Sequence, residues 1–159
     1  MKFKEFTEFD DPADEIFQNI LDVIFDEGDE DTIHLSRLSD EAKVVYFTWW
    51  CDAEIHNGGF DQFFFNFSGD HTKETMEALE VIGASVSLSL FNKALTWFPN
   101  STPNPDREKR WKELEAYENS DQYEKAMDEL DTKFYEYEDN IVELVNSYVI
   151  SNPNANILA

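Results

Sequence analysis

Basic residues, cysteine and long apolar runs are all scarce in this chain, and each scarcity removes a class of explanation. Only 12 lysines and arginines stand against 35 aspartates and glutamates, a formal charge of -23 with a pI near 4.1. Such a surface repels nucleic acid and anionic membranes, so direct binding to either is not expected. The single cysteine, Cys51, cannot close an intrachain disulfide, and its place in the apolar run V-V-Y-F-T-W-W-C marks it as a buried, inert thiol. No apolar stretch approaches the ~20 residues of a membrane span. The N-terminus M-K-F-K-E-F-T-E-F-D-D lacks the apolar centre of a signal peptide. The expectation is a soluble, cytoplasmic protein.

Familiar chemical motifs are missing as well. An EF-hand loop needs oxygen ligands at its first, third and fifth positions and glycine at the sixth. Counting back from Gly28 in D-E-G-D-E-D puts Val23 and Phe25 at the first and third, which excludes it. His34, His56 and His71 have no metal-ligand spacing and read as surface or hydrogen-bonded histidines. Ser68, Asp70 and His71 are too nearly contiguous to adopt triad geometry, and neither a nucleophile elbow nor a phosphate-binding glycine loop is present. No catalytic, metal-binding or cofactor-binding residue is assigned, and no cofactor is expected.

What the chain does hold is an aromatic core: 14 Phe, 6 Tyr and 4 Trp in a composition that is 42% hydrophobic. A domain of 159 residues buries roughly 70% of its unfolded surface. The densest segment is Glu54 to Gly69, E-I-H-N-G-G-F-D-Q-F-F-F-N-F-S-G, where Gly58-Gly59 precedes Phe60, Phe63, Phe64, Phe65 and Phe67. The i, i+3, i+4 spacing of Phe60, Phe63 and Phe64 predicts a short helix plugging the core. Gly58 or Gly59 would end the preceding helix, and Asn57, Gln62, Asn66 and Ser68 would tie loop backbone groups.

The remaining chain reads as helices. Asp11-Pro12 opens one to about Glu27, with Ile16, Phe17, Ile20, Leu21 and Ile24 on its inner face. Ser39 caps a second, apolar nearly all round and therefore central. Thr72–Ile82 and Ala84–Phe98 follow, then the loop Pro99–Pro105 and a helix from Asn104-Pro105 that carries Trp111, Leu114 and Tyr117. Asp121 to about Leu130 and Phe134–Ile150 complete the set. Nothing alternates with the period of a strand. The expectation is one all-α domain over residues 1–159, about seven helices around an aromatic-rich core.

The acidic charge is segregated. Residues 1–31 and 113–143 each hold 12 acids and 2 bases, whereas residues 32–112 hold 11 acids and 8 bases. Asp121, Glu124, Asp128 and Asp131 recur at helical spacing, which would place them in one row ~5–6 Å apart. Glu136, Asp139 and Glu143 would continue a second row on the last helix, and Glu15, Asp22 and Asp26 fall opposite the apolar stripe of the first. B-DNA presents one negative charge per ~1.7 Å of axis, and rows of helical carboxylates approximate the phosphates of one strand. The opposing interpretation is a solvated face that only keeps the protein soluble. The basic cluster Arg107, Lys109, Arg110 and Lys112 reads as an intramolecular or subunit-contact partner for acids.

At N-G-G-F-D-Q-F-F-F-N-F-S-G the chain resembles a broad bacterial family of small, mostly uncharacterised helical proteins that includes the acidic DNA-mimic protein of the nineteen-kilodalton class. Glu54, Asn57, Gly58, Gly59, Phe60, Gln62, Phe64, Asn66, Ser68 and Gly69 carry the likeness, with Ala78-Leu79, Ile82-Gly83-Ala84, Asp131 and Phe134-Tyr135 further on. It spans about residues 38–148. The resemblance implies an all-helical homodimer that occupies the DNA-binding face of a basic transcription regulator of helix-turn-helix type. The spacing argument alone nominates Glu15, Asp22, Asp26, Asp121, Glu124, Asp128, Asp131, Glu136, Asp139 and Glu143 as phosphate-mimicking residues. Two alternatives are an immunity or antitoxin-like protein that neutralises a basic toxin, and a carboxylate-based enzyme with a pocket around Glu54, Asp61 and His56.

Overall fold

A computed structural model describes residues 11–25, 34–153 and 155–159. Within them the chain forms seven α-helices and no strand: α1 (Pro12–Ile24), α2 (Asp40–Phe65), α3 (Thr72–Val81), α4 (Ser85–Leu95), α5 (Arg107–Glu115), α6 (Asp121–Tyr135) and α7 (Ile141–Ser151). The all-α expectation is met.

Most helix starts follow from local chemistry. Asp11 accepts the Asp14 N–H ahead of Pro12. Ser39 accepts from Ala42, Asp106 from Lys109, Ser120 from Tyr123 and Asn140 from Glu143. Each cap satisfies one amide that the first turn would leave unpaired, worth about 1 kcal/mol. The first helix stops at Ile24, short of the expected end near Glu27, because Phe25 already takes extended backbone.

The helix α2 is the axis of the molecule, in contact with α1, α3, α5, α6 and α7. Ile16, Phe17, Ile20 and Ile24 of α1 are buried, and Phe17 stacks on Trp49 of α2 at 3.7 Å between centroids. Burial at about 1.5–3 kcal/mol for each such side chain far exceeds the few tenths per like-charge pair on the outer face of α1. The Asn146 carboxamide of α7 accepts the Ala13 N–H at 2.8 Å and fixes the start of α1.

The Gly58-Gly59 break is real, but the helix resumes immediately after it. Gly59 sits at φ +75° and ψ -173°, a conformation open to glycine, and Phe60 restarts the helix. Phe60, Phe63 and Phe64 are fully buried and all meet the ring of Phe91 of α4.

Four further expectations need correction. The amides of the central motif do not serve loop backbone. Gln62 and Asn66 donate to the buried Glu54 carboxylate at 2.6 and 2.9 Å, and Asn57 donates to Gln62, so the amides bridge the break. The helix from Asp121 continues through Leu130 to Tyr135. The interruption comes at 136–140, where Tyr137 takes φ +53° and Asn140 caps α7, so Phe134 belongs to α6 and Tyr137 to the connection. The fifth helix begins at Arg107 and not at Asn104-Pro105, because Asp106 is the residue that caps it. The fourth stops at Leu95, short of Phe98.

Candidate functional site

Seven of the ten nominated carboxylates are exposed in solvent on three helices or at their ends: Glu15, Asp22, Asp121, Glu124, Asp128, Glu136 and Glu143. Asp26 lies outside the described residues. On α6 the run Asp121, Glu124, Asp128 shares one face, and none of the three forms an ion pair with a described residue. Glu136 is held by Lys133 at 2.8 Å. The second row is not one helix face: Glu136 ends α6, Asp139 lies in the connection, and only Glu143 is on α7.

The other two nominees, Asp131 and Asp139, point inward and are structural caps. Asp131 accepts the Phe60 N–H at 2.8 Å, an amide freed by the glycine break, and so caps the resumed half of α2 from a distant helix. Burial pushes its carboxyl above the usual range. The Phe60 bond opposes this, and the charges of Asp61 and Asp128 add to it. Asp139 accepts the Ser87 N–H at 2.6 Å and caps α4, whose own preceding residue, Ala84, has no side-chain oxygen. Both are short acids placed at amides that lack a local partner, so their spacing signalled surface charge and the fold gave them other work.

The two acidic regions lie on different flanks of α2: α1 packs on α2 and α7, whereas α6 packs on α2 and α4. Nearer α6, a cleft of about 1290 Å³ opens between the second half of α2, α5 and the start of α6. Its aromatic lining is Phe65, Trp111, Tyr117 and Tyr123, arranged as two stacked pairs at 5.1 and 5.0 Å. Its carboxylates are Asp61, Glu115, Glu118, Asp121 and Glu124, and among the described residues no lysine, arginine or histidine lines it. The Tyr123 hydroxyl donates to Asp61, and burial together with that carboxylate raises the phenol's pKa.

This cleft includes Asp61 but neither Glu54 nor His56, so the three residues of the enzyme alternative do not share it. Glu54 is consumed by its amides. His56 is held at 3.2 Å by Asp52, whose carboxyl is raised by burial against the opposing effects of His56 and Tyr137. Among the described residues, no group of three or more His, Cys, Asp or Glu is placed to hold a metal ion, and no helix is long and apolar enough to cross a membrane.

The basic cluster divides: its two arginines turn inward, whereas Lys109 and Lys112 stay exposed. Arg110 is fully buried, and with Arg107 it clamps Asp70. Burial raises that carboxyl, but the hydrogen bonds and charges of the two arginines outweigh it and hold it below the ordinary range. Sequence reasoning identified an intramolecular role but missed that Arg110 is a core residue. It also missed the exposed Phe65–Trp111 pair, since each residue alone resembles a core aromatic.

These features define a class: an all-helical protein with a closed aromatic core whose carboxylates are gathered on exposed helical faces. Within that class, the chain belongs to the DMP19-like protein family, whose model matches residues 36–152. The family is named for a DNA-mimic protein of the nineteen-kilodalton class and is not a known enzyme family. No curated protein matched the chain, and no solved structure did.

Proposed function

We propose that this protein is a DNA mimic that occupies the DNA-binding face of a basic, sequence-reading protein, a helix-turn-helix regulator, and keeps it off DNA. The observation that carries the proposal is the solvent-facing run Asp121, Glu124, Asp128 on α6, which forms no ion pair among the described residues. At 1.5 Å rise per residue the run covers about 10 Å, a length over which one strand presents about four phosphates at 3.4 Å each. Three carboxylates in steps of about 5 Å approximate that row at a somewhat lower density. Glu136 and Glu143, with Glu15 and Asp22 on the other flank, extend the acidic surface. The functional unit is a homodimer, which doubles these rows.

Capture of partners from the native host, with sizing of the complex by light scattering, tests both the partner class and the dimer. The Glu124→Lys/Asp128→Lys variant should lose binding to the captured regulator while its melting temperature stays within a few degrees, because both side chains are exposed. The parent's affinity should fall steeply between low and moderate salt. Undiminished binding by the double reversal at moderate salt would remove the α6 row from the interface. Capture of a basic toxin in place of a regulator would support the immunity reading.

A further inference from the structure

We infer that the cleft between α2, α5 and α6 is a receptor for an arginine side chain on a flexible basic segment of the partner. The inference rests on the DNA-mimic reading for the partner's class, and it adds a second, shape-selective contact to a charge-matched one.

The first observation is an apolar wall that the fold leaves uncovered. Phe65 is 54% exposed and Trp111 is 36% exposed, although both are large aromatics on helices with buried faces. They stack on each other with ring planes 21° apart, and the Trp111 indole N–H donates to the Phe65 carbonyl at 2.8 Å. The pair is therefore held rigid at the surface and presents a preformed π-face. A wall of this kind loses little entropy when it binds.

The second observation is charge complementarity. Five carboxylates line the same cleft, and among the described residues no cationic side chain does. An apolar ligand would leave those carboxylates desolvated, and an anion would be repelled. A guanidinium satisfies both walls, since its plane stacks on an aromatic face while its edge donates two parallel hydrogen bonds to a carboxylate. Lysine offers a point charge with neither the plane nor the fork. The volume of about 1290 Å³ admits the side chain together with a short length of its backbone.

The test uses the full chain and three synthetic peptides of one length, in which glycine alternates with arginine, lysine or citrulline. The parent should bind the arginine peptide, bind the lysine peptide several-fold more weakly, and bind the neutral citrulline peptide not at all. Phe65→Ser/Trp111→Leu, which leaves net charge unchanged, should weaken the arginine peptide by about tenfold, equivalent to about 1.4 kcal/mol. Nuclear magnetic resonance of the parent's indole N–H groups keeps the test independent of the variant's folding. The Trp111 signal should shift on titration, whereas those of Trp49 and Trp50 stay in place. Equal affinity for arginine and lysine peptides, a variant within twofold of the parent, or an unmoved Trp111 signal overturns the inference. None of these results touches Asp128, which lies outside the cleft that Glu124 lines, so Asp128→Lys alone judges the wider reading separately.

Discussion

Replacing Arg110 with methionine should be among the most damaging single changes in this protein. The side chain is fully buried, and its guanidinium donates to the Phe64 carbonyl, to the Asn104 carbonyl at 2.7 Å, to the Asn66 carbonyl at 2.9 Å and to Asp70 at 2.6 Å. Phe64 and Asn66 lie at the C-terminal end of α2, where carbonyls have no intrahelical partner. Methionine fills a similar volume, so the loss isolates the polar contacts. Each buried carbonyl left unpaired costs about 1–3 kcal/mol, and removing one partner of a buried ion pair costs about 3–5 kcal/mol in all. Asp70 keeps Arg107, which is partly exposed, so the lower part of that range applies if water reaches the site. For a domain of this size a loss of 3–5 kcal/mol lowers the melting temperature by about 6–20 °C. Arg110→Lys should recover only part of it, since an ammonium cannot span four acceptors in one plane. Urea denaturation of the parent and both variants decides the matter. A loss below about 1 kcal/mol for Arg110→Met, with unchanged slope, would mean that this residue does not hold the end of α2 to the Asn104 loop.

Further outcomes follow from the glycine break and from two carboxylates of shifted pKa. Gly59→Ala should cost well over 1 kcal/mol in thermal or urea unfolding, because a Cβ there meets the Asp131 carboxylate at 2.1–2.8 Å on a backbone with φ +75°. Gly58→Ala should cost less, since φ there is not positive and the added Cβ meets only the Gln62 side chain, at the expense of its bonds with Asn57 and Glu54. Asp131 provides a pH signature. Its native pKa is raised above the ordinary 3.8, so the stability tied to its protonated form is complete below that value and is lost as pH rises through the native one. Asp131→Asn keeps an acceptor for the Phe60 N–H without the charge, and should gain on the parent between pH 3.5 and 7. Asp131→Leu orphans that amide and should lose about 1–3 kcal/mol at both pH values. Identical differences for Asp131→Asn at the two pH values would refute the assignment. Asp70 has the opposite sign: its depressed pKa contributes stability above 3.8 that fades as pH falls through the native value.

Much of this architecture is written in short-range order. Asp11-Pro12, Ser39 and the apolar repeat of α1 act over three or four residues, so the helices they start can be read from the chain directly. The Gly58-Gly59 break is also local, because only glycine takes the backbone angles of position 59 without strain. The apolar order Phe134, Tyr137, Ile141 is ambiguous by comparison. It suits one continuous helix as well as two, and the cap at Asn140 decides between them.

The roles of individual charges lie beyond that range. Asp128 and Asp131 are three residues apart and indistinguishable in sequence, yet one faces solvent and the other caps an amide 71 residues away. Asp139 reaches an amide 52 residues away, and Arg110 binds carbonyls 44 and 46 residues away. A carboxylate or guanidinium goes wherever an unpaired buried group costs most, and that demand exists only once the helices have packed. The sequence alone therefore determined the helical class, the aromatic core and the acidic excess. The tertiary structure decided which acids are surface and which are caps, and it made a cleft from two aromatics that the chain places 46 residues apart.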